Sequence, residues 1–260
     1  MLSMKNELKL VRRLAVNDIK SRYSSSVFGI IWAFILPLIT ILVFWYVFQL
    51  GFKNLPVGNA PYILWFSAAY VPWIFYSDVI ILGSNCFIEY NYLVKKIKFK
   101  IAYIPLIKLF SALFVHVFFI AFLFFMFWIY KYPITLYSFQ VFYYSFALSM
   151  FSLGLSYLFA SITVFFRDTS SMINIIIQIG FWVTPILWDE NSMVDDHVRS
   201  VLALNPMHYI INGYRDSLIY QRTFWDNASE TVYYWCFTLL LFACGIIFFR
   251  RLSPYFADEV

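Results

Sequence analysis

Residues 109–130 read LFSALFVHVFFIAFLFFMFWIY, a run of twenty-two positions without a charged side chain. A helix of that length covers about 33 Å at 1.5 Å per residue, enough to cross the ~30 Å hydrocarbon core of a bilayer. A helix buried in a soluble core rarely stays apolar on every face over so many turns. The stretch therefore reads as a membrane span. Five further charge-free runs extend from Tyr23 to Phe52, Asn54 to Ser77, Tyr132 to Phe166, Thr169 to Trp188 and Thr231 to Phe249. The composition agrees, at 62% hydrophobic and 13% charged, where soluble domains carry about 25% charged residues. The fold class expected is an all-α integral membrane protein forming one transmembrane domain over residues 1–260. Its six spans are placed at about 27–50, 62–84, 104–130, 140–165, 170–188 and 232–249.

Orientation follows from the basic residues, which accumulate on the cytoplasmic side of membrane proteins. With the N-terminus inside, one side holds Lys5, Lys9, Arg12, Arg13, Lys20, Arg22, Lys95, Lys96, Lys98, Lys100, Lys108, Arg167, Arg250 and Arg251. The other side holds Lys53, Lys131, Arg199, Arg215 and Arg222. Both termini are therefore expected in the cytoplasm. The net charge of +5 becomes a topology signal whose natural partner is anionic lipid rather than nucleic acid. The first apolar run begins only after a charged stretch, so it is expected to be a retained anchor and not a cleaved leader.

Residues 4–20 can be drawn as a two-faced helix. Met4, Leu8, Leu10, Val11, Leu14, Ala15 and Ile19 share one side, and Lys5, Lys9, Arg12, Arg13 and Lys20 share the other, with Arg22 just beyond. A basic amphipathic helix of this kind lies in the membrane interface. Pro37 and Pro72 interrupt the first two spans, which membrane helices tolerate when neighbours satisfy the freed carbonyl. Asp78 is costly in hydrocarbon and should face protein or water. Residues 189–230 form a long outer segment in which Val201–Leu204 and His208–Ile211 are apolar and Asn205-Pro206 separates them. Two short re-entrant helices are expected there, since ~10 apolar residues cannot cross.

No phosphate-cradling G-x-x-x-x-G-K-[ST] loop, H-E-x-x-H or G-x-S-x-G motif is present. Cys86, Cys236 and Cys244 follow no metal or redox spacing, and no catalytic, cofactor or metal residue is assigned. Energy for uphill transport must come from an ion gradient or a separate ATPase. Asp78, Lys108 and His116 are the main candidates for an ion relay, and their scarcity favours the ATPase.

Several segments, in this order along nearly the whole chain, resemble the membrane subunit of type-2 ABC exporters of bacterial O-antigen, capsule or teichoic-acid glycans. They are Asp18-Ile19-Lys20-Ser21-Arg22-Tyr23 with Ser26, Gly29, Trp32 and Pro37; Val71-Pro72-Trp73-Ile74-Phe75; Leu93-Val94-Lys95-Lys96-Ile97 with Phe99; Phe166-Arg167-Asp168; Trp182-Val183-Thr184-Pro185-Ile186-Leu187; Asn205-Pro206; and Gly213-Tyr214-Arg215. Lys100 departs from the family, which usually has proline there. The resemblance implies a bacterial inner-membrane homodimer joined to two copies of a cytoplasmic ABC ATPase, which would hold ATP and magnesium; this chain would have no nucleotide site or enzymatic activity. It further implies that Tyr92, Leu93, Val94, Lys95, Lys96, Ile97 and Phe99 form a coupling helix pressed into the ATPase, with the N-terminal helix and the Arg167-Asp168 turn beside it. Pro185, Trp188, Asn205, Pro206, Tyr214 and Arg215 would belong to an outer gate.

Aromatic residues make up 23% of the chain. Aromatic faces pack against sugar C–H surfaces, and tyrosine hydroxyls add hydrogen bonds without fixed charge. Trp73, Phe75, Tyr76 and Trp182, with Asp78, are the candidates for a conduit lining; many other aromatics must face lipid or form interfacial belts. The leading function is ATP-driven export of lipid-linked polysaccharide, O-antigen first. An exporter of capsule, teichoic acid, a drug or a small lipid, an ion-coupled flippase, and a membrane enzyme acting on polyprenyl-linked sugars stay open. Replacing Asp189, Glu190, Asp195 and Asp196 together is expected to abolish an enzyme's turnover but only weaken an exporter, which an assay of glycan modification against glycan translocation separates.

Overall fold

The computed structural model describes residues 4–24, 26–51, 60–96, 99–190 and 195–260, and regular structure among them is helical. Helix α1 (Met4–Arg22) precedes a 3-10 turn at Gly29–Ile31 and α2 (Trp32–Trp45), which continues into a π-helical turn at Tyr46–Gly51. Helix α3 (Tyr62–Ser84) runs to two single-turn helices, α4 (Cys86–Glu89) and α5 (Asn91–Val94). Helices α6 (Tyr103–Ile129) and α7 (Gln140–Phe165) form a long hairpin, followed by α8 (Thr169–Val183), α9 (Asp196–Leu202) and α10 (Pro206–Arg215). Helix α11 (Ala228–Leu252) and the short α12 (Phe256–Glu259) close the chain.

Among the described residues, five helical stretches are long and apolar enough to cross a membrane: Gly29–Gln49, Tyr62–Ser84, Tyr103–Ile129, Leu136–Phe165 and Ala228–Glu259. The remaining one differs from expectation. Helix α8 stops at Val183, so its 15 residues rise only about 22 Å. Thr184 is extended, with φ −74° and ψ 136°, because the ring of Pro185 disfavours the helical region for the residue before it. The rest of the segment, Thr184 to Leu187, is buried non-helical backbone. Such backbone is tolerated at membrane depth only where protein satisfies it.

Helix α7 is the centre of the bundle. It packs against α11 on one side and α3 on another, and α3 also packs on α6. Small residues allow these approaches, as in membrane helix pairs generally. A Cβ on Gly245 of α11 would sit 2.5 Å from the Gly154 carbonyl oxygen of α7. The serines of α7 return their hydroxyls to the preceding turn: Ser145 donates to Val141 O, Ser156 to Ser152 O, and Ser161 to Tyr157 O. This back-bonding satisfies these hydroxyls within an apolar bundle, while Ser152 Oγ is buried without a partner among the described residues. Helix α2, by contrast, stands at the periphery with Leu36, Ile39, Leu42 and Val43 exposed.

Helix α1 packs along α6. Val11, Ala15 and Ile19 are buried and Leu14 half-buried, whereas Lys9, Arg12, Arg13 and Lys20 are exposed. The amphipathic reading needs one correction. Leu10 is exposed, because the buried stripe is centred on 11, 15 and 18–19 and position 10 lies about 100° round the helix. The side chains of Met4, Lys5 and Leu8, and residues Lys53, Ile97 and Lys98, lie outside what is described.

Gly245→Val is expected to lower the midpoint of thermal unfolding in detergent by a shift worth about 1–3 kcal/mol or more, since the clash is with backbone. Gly51→Ala, where an added Cβ meets nothing closer than 3.8 Å among the described residues, is the control and should leave the midpoint within a degree or two.

Candidate functional site

At the end of the bundle that bears α1, the buried stripe of α1 delivers Asp18 to α6. Lys108 Nζ donates to Asp18 Oδ1 at 2.6 Å, and both side chains are only 1% exposed. Lys108 also reaches Glu89 Oε2 of α4 at 2.6 Å. Tyr90 donates its hydroxyl to Asp18 Oδ1 at 2.7 Å, and Arg22 bonds Asp18 Oδ2 at 3.0 Å and Ser111 Oγ at 3.1 Å. Burial pushes the Asp18 carboxyl up, but the Lys108 charge and the hydrogen bonds of Lys108, Ser111 and Tyr90 outweigh it and hold the group below the ordinary carboxylate range. Three segments distant in sequence are thus tied at one ammonium. Lys108, a relay candidate in the sequence, sits in this clamp.

Around the clamp lies an exposed, basic surface. Tyr92, Lys95 and Lys96 are exposed, Phe99 is half-buried, and Leu93 and Val94 are buried beneath them; Ile97 lies outside the described residues. Lys96 Nζ stands 5.9 Å over the Tyr92 ring. Lys100, where the family's proline is missing, instead pairs with Glu7 of α1 at 2.6 Å, and Tyr103 donates to the same carboxylate at 2.6 Å. Arg167 and Asp168 are exposed in the turn between α7 and α8. The sequence reading missed Phe256. Its ring packs 4.8 Å from Phe87 and 6.1 Å from Phe165, fastening α4 to the end of α7. An isolated apolar residue in a charged tail was the only signal for it.

A cavity of about 360 Å³ opens between α2, α3 and α8, with Thr40, Tyr70, Trp73, Ser77, Asp78 and Gln178 among its walls. Trp73 and Asp78 lie on it together. Phe75 does not: it is buried in the bundle and stacks on His116 with centroids 4.4 Å apart. Tyr76 stacks on Phe151 at 5.8 Å and touches Trp73 at 5.5 Å. Trp182 is 58% exposed on α8. His116 bonds Ser145 Oγ at 3.2 Å and the Tyr214 hydroxyl at 3.0 Å, which makes it a bridge between α6, α7 and α10.

At the opposite end, the loose backbone after α8 is held by three side chains. Tyr62 donates to Leu187 O at 3.0 Å, Arg215 Nη2 to Ile186 O at 3.2 Å, and Asn205 Nδ2 to Thr184 Oγ1 at 3.0 Å. Asn205 also caps α10 through Met207 N, and Pro206 takes the first helical position, where its missing N–H is no loss. Trp188 donates its indole N–H to Trp182 O at 3.1 Å, and Pro185 and Tyr214 are buried. Glu190 accepts from His208 at 2.7 Å and Asn212 at 3.2 Å. Burial raises its pKa, but these bonds and charges prevail and leave it lowered.

Lys108→Met strips the buried cation from Asp18 and Glu89. It is expected to destabilise the protein by about 3–5 kcal/mol in thermal unfolding, with a large part restored by adding Asp18→Asn. Because the folded pKa of Asp18 is depressed from 3.8, its contribution is present above the unfolded pKa and lost as pH falls through the folded one. Acid unfolding should accordingly be less steep in Asp18→Asn.

Residues 9–219 match the ABC-2 type transporter family. The chain is 25% identical over 266 residues, spanning all of both proteins, to the O-antigen export system permease protein RfbA of Myxococcus xanthus. It is 26% identical over 251 residues to a protein of the same name from Klebsiella pneumoniae, covering 93% of this chain and 91% of that one. A multi-pass helical protein with this match is a membrane-spanning member of the ABC-2 type transporter family.

Proposed function

We propose that this chain is the transmembrane subunit of an ATP-driven exporter that carries lipid-linked O-antigen polysaccharide across the bacterial inner membrane. The observation that carries the reading is likeness to O-antigen export permeases from end to end, not over one motif. Two copies of the chain would assemble with two copies of a cytoplasmic ABC ATPase, which holds ATP and magnesium and performs the hydrolysis. Both termini then face the cytoplasm, with Lys9, Arg12, Arg13 and Lys20 against lipid phosphate.

In this reading the surface of Tyr92, Lys95, Lys96, Arg167 and Asp168 is where the ATPase presses. The buried Leu93 and Val94 root that surface in the bundle. The clamp at Lys108 passes the displacement to α1 and α6, since salt bridges with both partners buried resist separation far more than exposed ones. The cavity beside Trp73 supplies aromatic faces with Asp78, Ser77 and Thr40 among them, a wall suited to sugar C–H surfaces and hydroxyls. Trp182 continues it along α8, and Tyr76 supports Trp73 from behind. Pro185, Trp188, Asn205, Pro206, Tyr214 and Arg215 form the gate at the outer end.

Deleting the gene in the source cell, with glycan synthesis left intact, is expected to trap finished lipid-linked polymer on the cytoplasmic leaflet. Wild type should restore surface glycan. A Lys95→Glu/Lys96→Glu variant should fold, fail to restore export and lose co-purification of the ATPase. Unchanged surface glycan in the deletion strain overturns the reading.

A further inference from the structure

A cavity of about 750 Å³ lies at the end away from α1 and is walled by α3, α9, α10 and the start of α11. Its volume falls within the ~300–1,000 Å³ of small-molecule sites. Three observations show that it is chemically unfinished.

The first is Arg215, whose residue is 3% exposed and whose guanidinium lines the cavity. One face stacks 3.4 Å over the Trp65 ring. Nη2 reaches Ile186 O at 3.2 Å and Nε reaches Trp65 O at a long 3.5 Å. Nη1 makes no hydrogen bond to a described residue, and the carboxylates of Glu190 and Asp189 act on the buried cation through their charge. A guanidinium carries five donors, and with two carbonyls as its hydrogen-bond partners it keeps donors free for a ligand.

The second observation is a pair of acceptors. Asp216 and Glu230 line the same cavity, and among the described residues neither carboxylate has a hydrogen bond or ion pair. The third is the charge of the wall. Five carboxylates face three guanidiniums, with the amides of Asn212 and Asn227 between them.

These features select the ligand. A wall with more acid than base disfavours a phosphate or an acidic sugar. Among the described residues no group of three or more metal-ligating side chains is assembled. A hydroxyl group both donates and accepts, so a polyol can satisfy unpaired carboxylates and the free guanidinium donors within one molecule. We propose that this cavity binds a neutral saccharide unit, with Arg215 donating to it and Asp216 and Glu230 accepting from it. The inference rests on the glycan-export reading and deepens it by placing a sugar subsite at the outer end. The same guanidinium holds the Ile186 carbonyl beyond the broken end of α8, so sugar contact and gate backbone share one side chain.

The test uses the whole complex with its ATPase in nanodiscs, titrated with oligosaccharides of one to three repeat units cut from the source cell's own glycan and with maltotriose. Tryptophan fluorescence reports binding, and inorganic phosphate and glucuronate serve as anionic competitors. Asp216→Asn and Glu230→Gln replace groups without partners, so both variants should fold and assemble. Saturable neutral-sugar binding, weakened roughly tenfold by each substitution and untouched by phosphate, is expected. No saturable binding, equal affinity in the variants, or binding of the anions alone overturns the proposal. Surface glycan measured in parallel separates the two ideas. Export without sugar binding sinks only this subsite, and sugar binding without export sinks only the transport assignment.

Discussion

A buried lysine ammonium set between a buried carboxylate and a half-exposed one holds together three parts of this protein that the chain itself keeps apart. Moving each ion out of water costs several kcal/mol, and only close geometry with further hydrogen bonds offsets that. Lys108 meets the condition at 2.6 Å from both Asp18 and Glu89, with Tyr90 and Arg22 completing the shell of Asp18. One consequence is mechanical. Helix α1, the turn before α5 and the start of α6 cannot separate without exposing an uncompensated charge to a low-dielectric interior. The basic surface around Lys95 and Lys96 is therefore carried on a rigid mount.

The other end of the molecule follows a different rule. There the helix is broken by Thr184-Pro185; Tyr62 and Arg215 donate to backbone carbonyls that the helix no longer satisfies, and Asn205 holds the Thr184 hydroxyl. Side chains can exchange such bonds with a ligand or with one another at modest cost, whereas a continuous helix cannot open. A stiff basic end and an adjustable opposite end suit a machine driven from one side and gated at the other. Between them, the serines and glycines of α7 let α3, α6, α10 and α11 close around a single axis.

Much of this was legible in the residues, because hydrocarbon imposes a constraint that local sequence cannot evade. A span must be apolar for about twenty residues, so among the described residues five of the six expected spans appear as long apolar helices. The basic face of α1 follows from the 3.6-residue period, and the split at Asn205-Pro206 from proline's missing donor. The shortening of α8 was present in the sequence too, in Thr184-Pro185, but the apolar run past it hid the break.

Composition, periodicity and charge placement determined the helices, their order and the basic surface, since each depends on residues near one another along the chain. Only the tertiary structure decided which polar groups meet. Asp18 and Lys108 are 90 residues apart in sequence, and only packing brings them into one buried ion pair. Phe75 and Trp73 look alike in sequence, yet one is turned onto His116 and the other onto the cavity of Asp78. The resemblance placed Arg215 in an outer gate, but only packing shows its guanidinium stacked on Trp65. In an apolar bundle the cost of an unpaired charge depends on what stands a few ångströms away, and that distance is set by helix packing rather than by spacing along the chain.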